Sequence, residues 1–210
     1  MNTSIPKQFI ELNGLPVLLH TINAFLRYSK TISIILVLPK KDFTTWHDIT
    51  RKYKFAHPVI LQEGGETRFQ SVRNGLGHIT EDGLVAIHDG VRPLISEDII
   101  GASFRLAAVH QSAVAAVRLK ESIRITDQNK TLAVDRSKFR SIQTPQTFNV
   151  SLIKQAYEIP EDETLTDDAS VAERAGLTIS LFEGSYRNIK ITTEEDLIIA
   201  EALLRLIQQV

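Results

Sequence analysis

Leu84-Val85-Ala86-Ile87-His88-Asp89-Gly90-Val91-Arg92-Pro93 is the stretch on which the fold turns. An apolar run of strand length stops at a carboxylate, and a glycine, an arginine and a proline follow at once. A strand covered on both faces in a parallel sheet reads as such a run, and ligands of open α/β sheets bind where the carboxyl ends of strands open into loops. Asp89 and Arg92 are therefore expected side by side in a crevice, one anionic and one permanently cationic. That pairing suits a substrate carrying both hydroxyls and phosphate. The same residues also fit a strand-end aspartate that caps the next turn, with a surface arginine nearby.

Upstream of this strand, Pro16 to Ser29 carries Val17, Leu18, Leu19, Ile22, Phe25 and Leu26 at helical spacing, with a proline near the start. Ile32 to Leu38 is a β-branched run ended by Pro39, which predicts a buried strand. A helix over Phe43 to Tyr53, a short strand over Val59 to Leu61 and a helix over Thr67 to Leu76 follow. Downstream, Ser96 with Glu97-Asp98 signals a helix start, and that helix runs to about Val109. Ala113 to Val117 reads as a strand, Val150–Tyr157 and Thr166–Ala175 as helices, Thr178–Phe182 as a strand, and a helix from Thr193 closes the chain. The alternation implies an α/β fold, a Rossmann-like, doubly wound, mostly parallel sheet with right-handed crossovers.

The rhythm breaks between Lys120 and Phe139. Ser122-Ile123-Arg124-Ile125 and Thr131-Leu132-Ala133-Val134 flank Thr126-Asp127-Gln128-Asn129-Lys130, a polar-turned hairpin. A two-stranded hairpin has little core of its own, so a dimerisation arm over residues 120–138 is the expectation, with a flexible surface loop as the alternative. Neither a repeat nor a linker interrupts the rest, so the 210 residues are expected to form one domain with an arm.

Composition narrows the class. With 43% apolar and 23% charged residues the chain is an ordinary globular protein, and a net charge of -1 argues against a nucleic-acid binder. No run approaches the ~20 apolar residues of a membrane span. The first residues lack the apolar centre of a signal peptide. The absence of cysteine removes disulfides, thiol catalysis and cysteine metal sites, and makes a cytoplasmic setting the default.

Polar groups gather at the expected loop ends: Pro6-Lys7-Gln8, Gly64-Gly65-Glu66-Thr67-Arg68, Asp89-Gly90-Val91-Arg92, Val134-Asp135-Arg136, Thr144-Pro145-Gln146, Thr166-Asp167-Asp168-Ala169 and Asn188-Ile189-Lys190-Ile191-Thr192. Each alone is weak. Gly64-Gly65 also fits a simple turn, Thr166 with Asp167-Asp168 a helix N-cap, and Lys7 and Lys190 singly read as solvated lysines. As an ordered set they closely resemble the 2-C-methyl-D-erythritol 4-phosphate cytidylyltransferases, nucleotidyltransferases of the non-mevalonate isoprenoid pathway. The likeness runs from about Pro6 to the last helix.

The resemblance implies transfer of a cytidylyl group from CTP to a polyol phosphate, with release of pyrophosphate and with Mg²⁺ bound mainly through the CTP phosphates. It also implies a homodimer. The residue chemistry agrees, because a phosphate monoester is already an anionic nucleophile and needs no serine, cysteine or dedicated base. Cations and positioning must instead bring two anions together. By the family pattern Lys7 and Lys190 are the catalytic cations. Gly65, Glu66 and Ser71 lie around the cytosine and ribose, with Arg68 supporting their loop. Asp89 and Arg92 hold the polyol phosphate, Thr144 forms a wall or support, and Thr166 and Lys190 complete the pocket. Ser122 and Arg136, at the two ends of the arm, match positions that reach the neighbouring subunit's site.

The pattern departs in one large respect. The family opens with a β-strand and a Gly-rich loop ending in an arginine-methionine pair, and this sequence begins at Met1, where that methionine falls. The phosphate-cradling amides are thus expected to be missing, so that the sequence as written is expected to bind CTP poorly and to turn over slowly or not at all. Glu66 and Ser122 stand where aspartate and threonine are common. Gly90-Val91 occurs also among ribitol-phosphate cytidylyltransferases, the nearest rival reading. Thr166-Asp167-Asp168-Ala169 and Val134-Asp135-Arg136 favour methylerythritol phosphate. A non-catalytic nucleotide-binding relative is the rival from another class. A dehydrogenase is disfavoured because no Gly-x-Gly-x-x-Gly follows a strand.

Overall fold

The computed structural model describes residues 5–127 and 130–208. Met1, and Gln128 and Asn129 of the expected hairpin turn, lie outside them. β-Strand side chains alternate between faces, and the central run obeys this. In the strand Leu84–Ile87, Val85 and Ile87 pack with Phe69, Phe148 and Ile153, whereas Ala86 packs with Phe25, Ile95 and Ile100. One strand therefore serves two cores, and helices cover both faces. Helix α1 (Val17–Tyr28) and the helix Glu97–His110 lie on one side; the helices Arg68–Leu76, Val150–Ala156 and Asp168–Arg174 lie on the other.

In chain order the elements are β1 (Glu11–Leu12), β2 (Leu15–Pro16), α1, β3 (Ile34–Leu38), α2 (Phe43–Lys52), β4 (Val59–Glu63), α3 (Arg68–Leu76), β5 (Leu84–Ile87), α4 (Glu97–His110), β6 (Ser112–Arg118), β7 (Arg124–Asp127), β8 (Lys130–Ala133), β9 (Arg140–Asn149), α5 (Val150–Ala156), α6 (Asp168–Arg174), β10 (Leu181–Glu183) and α7 (Glu194–Gln208). Strands β3 and β4 pair in parallel, as do β6 and β10. The larger sheet has the order β10-β6-β9-β5. The chain has the expected α/β, mostly parallel, doubly wound fold, with one exception. Strand β9 runs antiparallel to both neighbours, pairing Ile87 with Gln146 and Val114 with the same residue.

This strand corrects the sequence reading, which treats Thr144-Pro145-Gln146 as a loop end. Residues 143–148 are buried within β9. A small hairpin, β1–β2, is also unforeseen. Asn13 and Gly14 turn it with φ of 49° and 79°, the left-handed pair that suits a tight two-residue hairpin. Strands β7 and β8 form the expected antiparallel hairpin, exposed along its length, with Ile125 and Leu132 facing solvent.

Strands β3 and β5 each end their sheets, and among the described residues no ladder joins them. Ile34 and Ala86 nevertheless contribute to one apolar cluster. Helix α7 covers the remaining core, where Ala200 and Leu204 meet Leu12, Val17 and Val91. No helix among the described residues is long and apolar enough to cross a membrane.

Candidate active site

The loop after β5 is fixed before any ligand is considered. Asp89 and Arg92 meet as expected, with Arg92 Nε donating to Asp89 Oδ2 at 2.9 Å. Lys190 Nζ reaches the same oxygen at 3.2 Å. Arg92 is not a surface arginine, being only 8% exposed. Its Nη1 donates to the Asn188 carbonyl at 2.8 Å. Asn188 Nδ2 in turn donates to the Thr144 carbonyl at 2.8 Å, and Asp89 N–H donates to Thr144 Oγ1 at 3.0 Å. A ring of hydrogen bonds thus ties three segments: the β5–α4 loop, β9, and the loop that precedes α7.

Electrostatics within the ring are explicit. Burial raises the Asp89 pKa, but Lys190 and Arg92 outweigh it and hold the carboxyl below the usual range. Oδ2 is shared by both cations, while among the described residues Oδ1 makes no hydrogen bond. His88 lies behind this carboxylate and is partly buried. Burial pushes its imidazole down to about 4, against the pull of Asp89. It stays neutral near pH 7.

The glycine-rich turn before α3 forms a second cluster. Thr67 caps the helix by accepting from Gln70 N–H. Ser71 Oγ accepts from Gly65 N–H at 3.0 Å and donates to the Thr67 carbonyl at 2.8 Å. Glu66 N–H donates to Gln70 Oε1. A Cβ on Gly65 would come within 2.3 Å of Gln70 Cβ, so no other residue fits the turn unchanged. The hydroxyl of Ser71 is therefore committed to shaping the loop, and Glu66 presents an exposed side chain.

Arg68 does more than support this loop. Its guanidinium grips the Asp168 carboxylate with two bonds, at 2.8 and 2.5 Å, and Tyr157 donates to Asp168 at 2.6 Å. Asp168 is fully buried. Burial opposes the charge on Arg68, but Asp168 outweighs it and raises the arginine pKa. Burial, with Asp168, drives the Tyr157 hydroxyl far upward, so it remains a donor. Gln146 locks the same corner from β9. Its Oε1 accepts from Ala169 N–H at 2.7 Å and its Nε2 donates to Asp167 Oδ2 at 2.9 Å. Asp167, not Thr166, caps α6, in a capping box with Ser170. Thr166 stands exposed just before that cap.

The structure thus brings Asp89, Arg92, Thr144 and Lys190 together, and ties Gly65, Glu66, Arg68 and Ser71 to the turn that carries Thr166. Lys7 opens a 3-10 turn anchored by buried Phe9, and its side chain makes no hydrogen bond or ion pair with either cluster. Ser122 and Arg136 stand exposed at the ends of the hairpin, Arg136 donating to the Lys120 carbonyl, with no contact to Asp89 within the chain. No group of three or more acidic or histidine side chains that could hold an ion occurs among the described residues. His88, Gln146, Asn188, Asp168 and Tyr157 have no expected role above. The first four stand inside the quoted motifs, which is the signal that could have found them; Tyr157 offers none.

Residues 1–206 match the family profile described as 2-C-methyl-D-erythritol 4-phosphate cytidylyltransferase. A protein of that name from Phocaeicola vulgatus is 41% identical over 204 residues, covering 97% of this chain and 93% of the relative. One from Porphyromonas gingivalis is 45% identical over 206 residues, covering 97% and 91%. The solved 4-diphosphocytidyl-2C-methyl-D-erythritol synthase of Anaerococcus prevotii superposes with a TM-score of 0.85 at 31% identity, covering 95% of this chain and 90% of that one. The chain belongs to the 2-C-methyl-D-erythritol 4-phosphate cytidylyltransferase family.

Proposed function

We propose that this protein joins CTP and 2-C-methyl-D-erythritol 4-phosphate, giving 4-diphosphocytidyl-2-C-methyl-D-erythritol and pyrophosphate. The observation that carries the reading is the Asp89 carboxylate held by Arg92 and Lys190 at the end of β5. An acceptor hydroxyl can donate to Asp89 Oδ1, while Lys190, 43% exposed, can turn its charge to the acceptor phosphate. The phosphate oxygen attacks the α-phosphorus of CTP, a new P–O bond forms, and the bond to pyrophosphate breaks. Cations that stabilise charge on that phosphorus lower the barrier. Lys7 is assigned to the CTP phosphates. Gly65, Glu66 and Ser71 form the nucleotide turn, which Arg68 anchors. Thr166 is assigned to the acceptor wall.

A divalent cation fits these residues. Mg²⁺ prefers oxygen ligands and takes few of them from protein, so the CTP phosphates would hold it, with the Asp89 carboxylate as the acidic group of the acceptor cluster. When bound it supplies charge neutralisation between nucleotide and acceptor.

The exposed hairpin supports a homodimer in which Ile125 and Leu132 are covered by a second copy and Arg136 reaches the partner's phosphate site. A cytoplasmic setting suits a cysteine-free enzyme that draws on CTP. The test is pyrophosphate release with CTP, Mg²⁺ and either methylerythritol phosphate or ribitol 5-phosphate. Pyrophosphate release with the first, even if slow, above that with the second is the expected result. Preference for the second would move the reading to the sister activity, and tight CTP binding without turnover would make the protein a nucleotide binder.

A further inference from the structure

His88 sits where three segments meet, and its two ring nitrogens face different partners. Nε2 lies 3.4 Å from the Arg92 carbonyl, which can only accept. Nε2 must therefore carry the hydrogen. In a neutral imidazole the other nitrogen is then bare. Nδ1 lies 3.0 Å from Thr144 Oγ1, so the threonine hydroxyl donates to it. The same oxygen already accepts from Asp89 N–H. Every hydrogen in the series has one place to go: Asp89 N–H to Thr144 Oγ1, Thr144 O–H to His88 Nδ1, His88 Nε2–H to the Arg92 carbonyl. The series starts at one end of the Asp89–Arg92 turn and finishes at the other. The ring meets Phe25 in a T-shaped contact, with centroids 5.1 Å apart and planes 64° to each other, which restrains its orientation.

We propose that His88 is a positioning residue for the transfer reaction: as the Nε2–H tautomer it clamps both ends of the Asp89–Arg92 turn through Thr144 and so sets where the acceptor, not CTP, is held. It touches neither substrate. This rests on the cytidylyltransferase reading, in which Asp89 and Arg92 hold the polyol phosphate. Moving Nε2–H to Nδ1 would set a lone pair against the Arg92 carbonyl and turn the Thr144 hydroxyl from donor to acceptor, so the Arg92 end of the turn would lose its hydrogen bond.

Amide substitutions split the clamp. His88→Asn places its carbonyl oxygen near the site of Nδ1 and keeps the Thr144 contact. His88→Gln places its amide nitrogen near the site of Nε2 and keeps the contact to the Arg92 carbonyl. His88→Phe keeps the ring and loses both. With CTP saturating, His88→Phe is expected to lower kcat/KM for the acceptor about 30-fold, since one or two buried partners go unpaired. The KM for CTP should stay within about 2-fold. His88→Asn and His88→Gln should each recover part of the loss. Equal losses for both substrates, or amide variants no better than His88→Phe, would reduce His88 to packing and overturn the proposal.

A second measurement stands apart from activity. Long-range ¹H–¹⁵N correlation on the full-length protein, with and without CTP, reads the His88 tautomer directly. Bare Nδ1 with protonated Nε2 at pH 7 is expected; the opposite tautomer or an imidazolium overturns the clamp whatever the protein's substrates. Absent turnover with either acceptor, beside the expected tautomer, would count against the transferase reading while leaving the hydrogen-bond series intact.

Discussion

Arg68 and Asp168 are separated by 100 positions in sequence and joined by two hydrogen bonds of 2.8 and 2.5 Å. The pair fastens the turn before α3 to the start of α6. Its two members are unequal, because Asp168 is fully buried whereas the Arg68 side chain is 37% exposed. Arg68→Ala leaves a buried carboxylate with Tyr157 alone and should cost about 3–5 kcal/mol. Asp168→Ala frees an arginine that can turn to water, and should cost about 1–2 kcal/mol. Urea unfolding of the two variants checks the order; a larger loss for Asp168→Ala would contradict it.

His88 also makes stability depend on pH. In the unfolded chain its imidazole titrates at the ordinary 6.5, in the native chain at about 4. Below pH 6.5 the unfolded state therefore takes up a proton that the native state refuses. Stability is complete above 6.5 and falls as pH drops toward 4, by on the order of 3 kcal/mol. His88→Phe should flatten that limb relative to wild type in denaturant titrations at pH 4.5 and 7.5.

Lys190 separates function from folding. It is 43% exposed and shares Asp89 with the better buried Arg92. Lys190→Ala should change stability by less than about 1 kcal/mol, since an exposed partner contributes little. It should lower kcat/KM for the acceptor about 100-fold through lost charge at the phosphate. Steady-state kinetics beside thermal melts would show both numbers.

The hairpin makes a clear prediction about assembly. Ile125 and Leu132 are 54% and 64% exposed on strands with no core beneath them. Replacing both with glutamate should shift sedimentation from dimer to monomer and leave far-UV circular dichroism unchanged. A dimer that survives the double change would put the interface elsewhere.

Most helices and the buried strands were legible because their apolar residues recur at the right period. Helix α1, expected from Pro16 to Ser29, spans Val17–Tyr28, and α4, expected to begin after Ser96, spans Glu97–His110 with that cap. Strand β9 was hidden by its own chemistry. Gln143, Thr144, Gln146 and Thr147 are buried but polar, each satisfied by a specific partner such as the Ser185 carbonyl, Asp89 N–H, Ala169 N–H or Ser103. Hydropathy cannot mark such a strand, because its burial is stabilised by hydrogen bonds rather than by apolar area. A proline in its middle also argued for a loop. The clustering at the candidate site was legible where charge and motif coincide, at Asp89, Arg92 and Lys190. Asp168 and Tyr157 were not, because their importance lies in a contact with Arg68 far away in sequence.

The unjoined edges of β3 and β5 have a dynamic consequence. Among the described residues, no main-chain hydrogen bond links residues 5–76 to the four-stranded sheet; side chains do the fastening, through apolar contacts and through Thr21 to the Gly90 carbonyl, Arg27 to Glu97, Gln70 to Glu161 and Arg68 to Asp168. Such a seam lets one portion exchange its amide hydrogens without the other. The glycine turn belongs to the first portion and Asp89 to the second. A molecule grasped from both sides acts as a rivet, and amide exchange in β3 and β4 should slow when nucleotide and acceptor are present together.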